Sequence, residues 1–69
     1  MVHLQHKVLS GLALEKFNKL SVENKELVIT KYSFMLNIPT VDFRIIVNNV
    51  DVKTLRAMEK ELNRMLTLQ

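Results

Sequence analysis

The side chains able to do chemistry are few in this chain. His3 and His6 stand three apart, so one helix face would carry both, as metal ligation requires. A metal site needs a third and usually a fourth ligand, and the chain has no other histidine and no cysteine. The pair therefore reads as exposed histidines on a fraying helix end, with no metal expected. Glu59 and Glu61 lie two apart and point in different directions on a helix; Glu23 and Glu26 share a face but sit among lysines. There is no glycine-framed serine, no cysteine nucleophile and no base with a partner to orient it. Gly11 is the single glycine, which rules out a Rossmann or P-loop phosphate cradle. A chain of 69 residues is also a small body in which to enclose a substrate site of roughly 300–1,000 Å³. The expectation is a protein without catalytic residues, cofactor or small-molecule substrate, one that acts by binding.

Binding surfaces depend on the elements that carry them. Leu4, Val8, Leu9, Leu12, Ala13, Phe17 and Leu20 recur at helical spacing and predict a first helix from about Val2 to Leu20. Gly11 in its middle costs ~1 kcal/mol against alanine, so it either frays the first turns or lets another backbone approach. Ser21 is an N-cap, with Glu23 in the first turn, for a second helix over Val22 to Leu36. There Val28, Tyr32, Met35 and Leu36 form a stripe flanked by Leu27, Ile29 and Phe34, wide enough for two covered faces, while Lys25, Glu26 and Lys31 read as solvated. Asn37 suits a left-handed helix end, and Pro39 forbids continuation.

Val41 to Asn49 reads two ways. Its alternation and β-branched content suit a strand. The Pro39-Thr40-x-Asp42 start, with Thr40 as N-cap, favours a short helix on which Phe43, Ile46 and Val47 share a face. Asn48-Asn49 breaks it. Asp51 then caps a last helix from about Val52 to Leu66, where Leu55, Met58, Leu62 and Met65 make two heptads of an a/d seam suited to docking on a core or on a second copy.

The stretch from Tyr32 to Ile46 fits a helix–turn–helix. Ser33 is small enough for a helix crossing, Asn37 takes the tight turn, Ile38 plugs it, and Phe43 and Ile46 are buried. Its outward residues are Thr40, Val41, Arg44 and Ile45, with Asp42 adding a charge that nucleic acid repels. Only Arg44 is a strong base reader. Val41, Arg44 and Ile45 are therefore the expected protein-binding residues. Direct DNA binding through Lys31, Thr40, Arg44 and Lys53 is the rival reading.

The run Asn37-Ile38-Pro39-Thr40-Val41-Asp42-Phe43-Arg44 resembles the helix–turn–helix hook of the Sin-type anti-repressors and the matching multimerisation tails of their repressors, with an Asn/Gly-Ile turn, an acidic residue and an Ile/Phe-Arg step. The resemblance covers the middle of the chain. It implies a hook that pairs two chains, and an anti-repressor that disarms a transcription regulator by replacing its self-pairing.

Composition sets the remaining bounds. A chain of 69 residues is one small domain, 1–69, with 48% hydrophobic and 25% charged residues, which is globular rather than disordered. The net charge of +3 is spread evenly: residues 1–36 hold five lysines and three acids, residues 37–69 five bases and four acids. Without a basic block or arm, non-specific nucleic-acid binding is disfavoured, and no helix flanks an aromatic face with lysines as membrane-surface binding requires. The longest apolar runs have three residues, far short of the ~20 of a membrane span, and the first segment lacks a signal-peptide pattern. The expectation is a cytoplasmic, bacterial or phage-like regulatory protein. Its fold is all-α, a small bundle of three to four helices with a helix–turn–helix-like corner, completed by homodimerisation because so short a chain buries little by itself.

Overall fold

The computed structural model describes residues 2–69, with side chains from Leu4 onward. It is all-α: α1 (Val2–Asn18), α2 (Val22–Leu36), α3 (Phe43–Asn48) and α4 (Val52–Leu68). The principal packing is α1 along α4, and α3 bridges α1 and α2. The core gathers Ala13 and Leu20, Val28 and Tyr32, Phe43, Ile46, Val47 and Val50, and Leu55, Met58 and Leu62. Phe17 of α1 stacks on Phe43 of α3 with ring centroids 4.2 Å apart and planes within 5°.

The helix starts follow the capping rules. Ser21 Oγ accepts the Asn24 N–H at 3.2 Å, and Asp51 Oδ1 accepts the Thr54 N–H at 2.8 Å. The 41–47 segment is a helix start, not a strand, but its cap is Asp42 rather than Thr40. Asp42 is extended (φ −98°, ψ 110°) and its Oδ1 accepts the Arg44 N–H at 3.0 Å. Thr40 Oγ1 instead accepts the Asp42 N–H at 3.0 Å, a turn one step earlier. The helix is thereby shortened at its start, and Val41 is left outside it.

Two other boundaries differ from the periodicity. α1 stops at Asn18 because Lys19 and Leu20 donate to carbonyls only three residues back, at 3.1 and 3.0 Å, which tightens the chain into a turn. α4 runs two residues further than its heptads. Its end is tied back by the Gln69 side chain, whose Oε1 accepts from the Ser21 N–H (2.9 Å) and Asn24 Nδ2 (3.3 Å) while its Nε2 donates to the Lys19 carbonyl (3.0 Å). One side chain thus fastens the α1–α2 turn to the end of α4.

Gly11 neither frays α1 nor admits a neighbouring backbone: the helix runs through it, and a Cβ there would meet nothing within 4 Å. His6 is not an exposed histidine on a loose end. It is half-buried, its Nε2 lies 2.7 Å from the Val50 carbonyl oxygen, and Ser10 Oγ lies 3.3 Å from its Nδ1. The ring therefore bridges α1 to the α3–α4 connection, and donates to Val50 through Nε2–H, since a carbonyl can only accept. The His3 side chain lies outside the described residues.

The a/d seam of α4 corrects the expected dimer surface. Leu55, Met58 and Leu62 are buried within the chain itself, and Met65 packs partly buried against the same core. The seam is the chain's own core face and is not presented to a second copy. The reason is economy of burial: α1 lies along it and removes its apolar area from water within one molecule.

Candidate functional site

The corner between α2 and α3 is built from local hydrogen bonds. Asn37 adopts φ 57°, ψ 40°, the left-handed conformation that asparagine tolerates at a helix end. Its N–H donates to the Phe34 carbonyl at 3.2 Å, and the Ile38 N–H donates to the Ser33 carbonyl at 3.0 Å, closing a Schellman motif. Ser33 Oγ donates to the Thr40 carbonyl at 2.9 Å and so ties the last turn of α2 to the far side of Pro39. Arg44 reaches back over Asp42, with Nη2 3.1 Å and Nε 3.3 Å from its two carboxylate oxygens. The guanidinium hydrogen bonds and the capped N–H hold the Asp42 carboxyl below its ordinary range.

This rigid corner displays apolar side chains instead of hiding them. Phe34 is 89% exposed and Val41 90%. Ile29, Ile38 and Pro39 join them in lining an open groove against Ser33 and Thr40. A second concavity shares Ile29, Thr30 and Val41 and continues past Phe17 to Val22 and the stem of Lys25. Together they form one shallow channel along α2 from Phe34 to Val22, about 18 Å at 1.5 Å per residue. That is the length of roughly three turns of a second helix.

Its origin lies in the two-sided hydrophobicity of α2. Only Val28 and Tyr32 are fully buried there, with Ile29 and Leu36 partly so. Leu27, Phe34 and Met35 stay exposed, so a single chain does not cover both faces as the wide stripe suggests. α1 behaves likewise: Leu4, Val8 and Leu12, spaced four apart, stay exposed opposite the buried Ser10, Ala13 and Phe17 side. The total accessible surface is 4946 Å². A folded monomer of this mass has roughly 4,500 Å² by size scaling.

Of the expected protein-binding residues, Val41 sits in the channel. Ile45 is 42% exposed but does not line it. Arg44 is exposed but engaged by Asp42. Ile38 is mostly buried at the turn, and its side chain also lines the groove. Phe34, Ile29, Pro39 and Val22 also line the channel, beyond the residues expected to bind. The signal in the sequence is angular: Phe34 lies two residues from the buried Tyr32, about 160° round the helix from it.

The proposed DNA-reading set does not assemble on α3. Lys31 is held by both oxygens of Glu61 at 2.9 Å, and Thr40 is half-buried in the turn. Arg44, the sole cation of α3, is paired, and Lys53 lies on α4. Lys25 is not simply solvated either, since its Nζ lies 5.9 Å from the centre of the Phe17 ring.

The strongest polar cluster is structural. Tyr32 donates to Glu61 Oε2 at 2.9 Å beside the Lys31 pair, joining α2 to α4. Burial opposes the charge on Glu61, yet the hydrogen bonds from Lys31 and Tyr32 outweigh it and hold the carboxyl below its usual value. Burial, then the bond to Glu61, pushes the Tyr32 hydroxyl well above its ordinary range. Both carboxylate oxygens of Glu61 are occupied, so the cluster locks two helices together and offers no free base. Glu59 pairs with Lys16 at 3.4 Å between α4 and α1. Among the described residues no three histidines, cysteines or carboxylates gather as a metal site, and no helix is long and apolar enough to cross a membrane. No family model, no curated protein and no solved structure matches this chain.

Proposed function

We propose that this protein is a non-catalytic regulatory module that binds a helix of a protein partner in the channel along α2, and that the partner is a transcription regulator whose own helix pairing it displaces. The observation that carries this reading is the pair Phe34 and Val41, both almost fully exposed on a corner whose backbone is tied by several hydrogen bonds. Apolar anchors on a rigid, preformed surface gain from desolvation and lose little order on binding. A helix laid in a groove is the recurrent way to use such a channel, reading positions one turn apart. The resemblance of residues 37–44 to an anti-repressor hook supports a regulator as the partner. The α4 seam is inside the chain, so self-association would draw on exposed apolar side chains such as Leu4, Val8, Leu12, Leu27 and Met35.

The test is position-specific photocrosslinking in the native host, with the probe at position 34 and a control probe at position 57 on α4. The expected result is one adduct unique to position 34, containing a transcription regulator. The purified regulator should bind wild type and fail to bind Val41→Glu. Equal capture at both positions, or full binding by Val41→Glu, would refute the channel as the site.

A further inference from the structure

The even spread of basic residues along the sequence conceals a segregation in space. On α4, Lys53, Arg56, Lys60 and Arg64 follow at intervals of three, four and four residues, so they share one face. All four are exposed, and the face lies opposite the buried Leu55, Met58 and Leu62. The acids near it are turned away or engaged: Asp51 caps Thr54, Glu59 faces Lys16, and Glu61 faces Lys31 and Tyr32. Among the described residues none of the four cations has a carboxylate within ion-pair distance, whereas Lys16, Lys19, Lys31 and Arg44 all do. The helix thus presents four exposed positive charges outside any ion pair over about 16 Å, at steps of roughly 4.5 to 6 Å; Asp51 and Glu61 act on Lys53 and Arg64 only by longer-range attraction. The neutral residues on the same face, Ala57, Asn63 and Thr67, are small or hydrogen-bonding and exposed.

We infer that this face of α4 binds the phosphate backbone of a nucleic-acid duplex, at a site distinct from the α2 channel. An α-helix of ~10–12 Å diameter matches a major groove ~12 Å wide, or lies along its edge. A line of lysine and arginine with polar neighbours supplies phosphate contacts and little base readout, so binding is insensitive to sequence. Single strands need aromatic platforms for base stacking, and the face carries no aromatic residue. A membrane surface needs a large apolar face beside the charges, and only Leu68 at the far end approaches one. A protein interface needs a buried anchor, which Ala57 does not provide. The face shares no residue with the channel, so this inference stands apart from the proposed partner.

The experiment is fluorescence anisotropy of the full chain with a labelled duplex of about 20 base pairs, across a salt series. Four phosphate contacts give a log–log slope near −3.6, a weakening of about 150-fold between 50 and 200 mM salt. Lys60→Gln and Arg56→Gln should each reduce the slope by about 0.9. Both positions are exposed and glutamine keeps helix propensity, so helical circular dichroism should be unchanged. Arg44→Gln should leave binding unaltered, and two unrelated duplex sequences should bind alike. The inference is overturned by absence of duplex binding at low salt, by loss on Arg44→Gln but not on the α4 changes, by a preference for single strands, or by binding to anionic vesicles in place of duplex.

Discussion

Truncating Leu62 to alanine probes the central packing decision of the fold. Leu62 is 1% exposed on the core face of α4, in the same cluster as Leu55 and Met58. Removing a leucine side chain from such a site costs about 2–5 kcal/mol, the transfer term plus the cavity left behind. A domain of 69 residues has about 3–10 kcal/mol in total, at 0.05–0.15 per residue. The variant should therefore lose a large share of its stability, and Tm should fall by roughly 8–40 °C at 4–8 °C per kcal/mol. Far-UV circular dichroism during urea and thermal unfolding measures this directly. Because the seam faces α1 of the same chain, the loss should be equal over about a hundredfold range of protein concentration. A loss below about 1 kcal/mol would show that Leu62 is not core. A loss that shrinks as concentration rises would show that the seam joins two chains.

Gly11→Ala should raise stability by about 0.5–1 kcal/mol, since the helix continues through an open position; a loss in the same unfolding assay would mean that something packs there. Tyr32→Phe should cost about 1.5 kcal/mol through the bond to the ionised Glu61, read by urea denaturation at neutral pH. The carboxyls of Glu61, Asp42 and Asp51 are all held below their ordinary values, so their contribution is complete above the unfolded carboxylate range near pH 4 and is lost as pH falls through the lower folded values. Acid unfolding should therefore begin below about pH 4 and be blunted in Glu61→Gln.

The helices and their caps were largely legible because Ser21, Asn37 and Asp51 act locally: each side chain or backbone twist answers to neighbours within a few residues. Thr40 and Asp42 were harder, as both can cap and only the three-dimensional turn through Pro39 decides which N–H each receives. The fate of the α4 seam was not readable, since a heptad stripe looks the same whether α1 or a second chain covers it. The outward face of α2 was hidden for a related reason. Phe34 is an ordinary core residue by type, and its exposure follows from where α3 packs, whereas Val41 reads as outward from the sequence of the corner itself. The cationic face of α4 does not show in the linear order of charges, because the ion pairs that neutralise Lys31 and Lys16 are made between helices.

Backbone amide shift mapping of the protein with the captured regulator's helix tests the account most directly. The proposed channel predicts that shifts cluster at Val22, Ile29, Phe34 and Val41 and vanish in Val41→Glu, whose own spectrum remains folded. Shifts confined to the outer face of α4, or spread through the core, would contradict it.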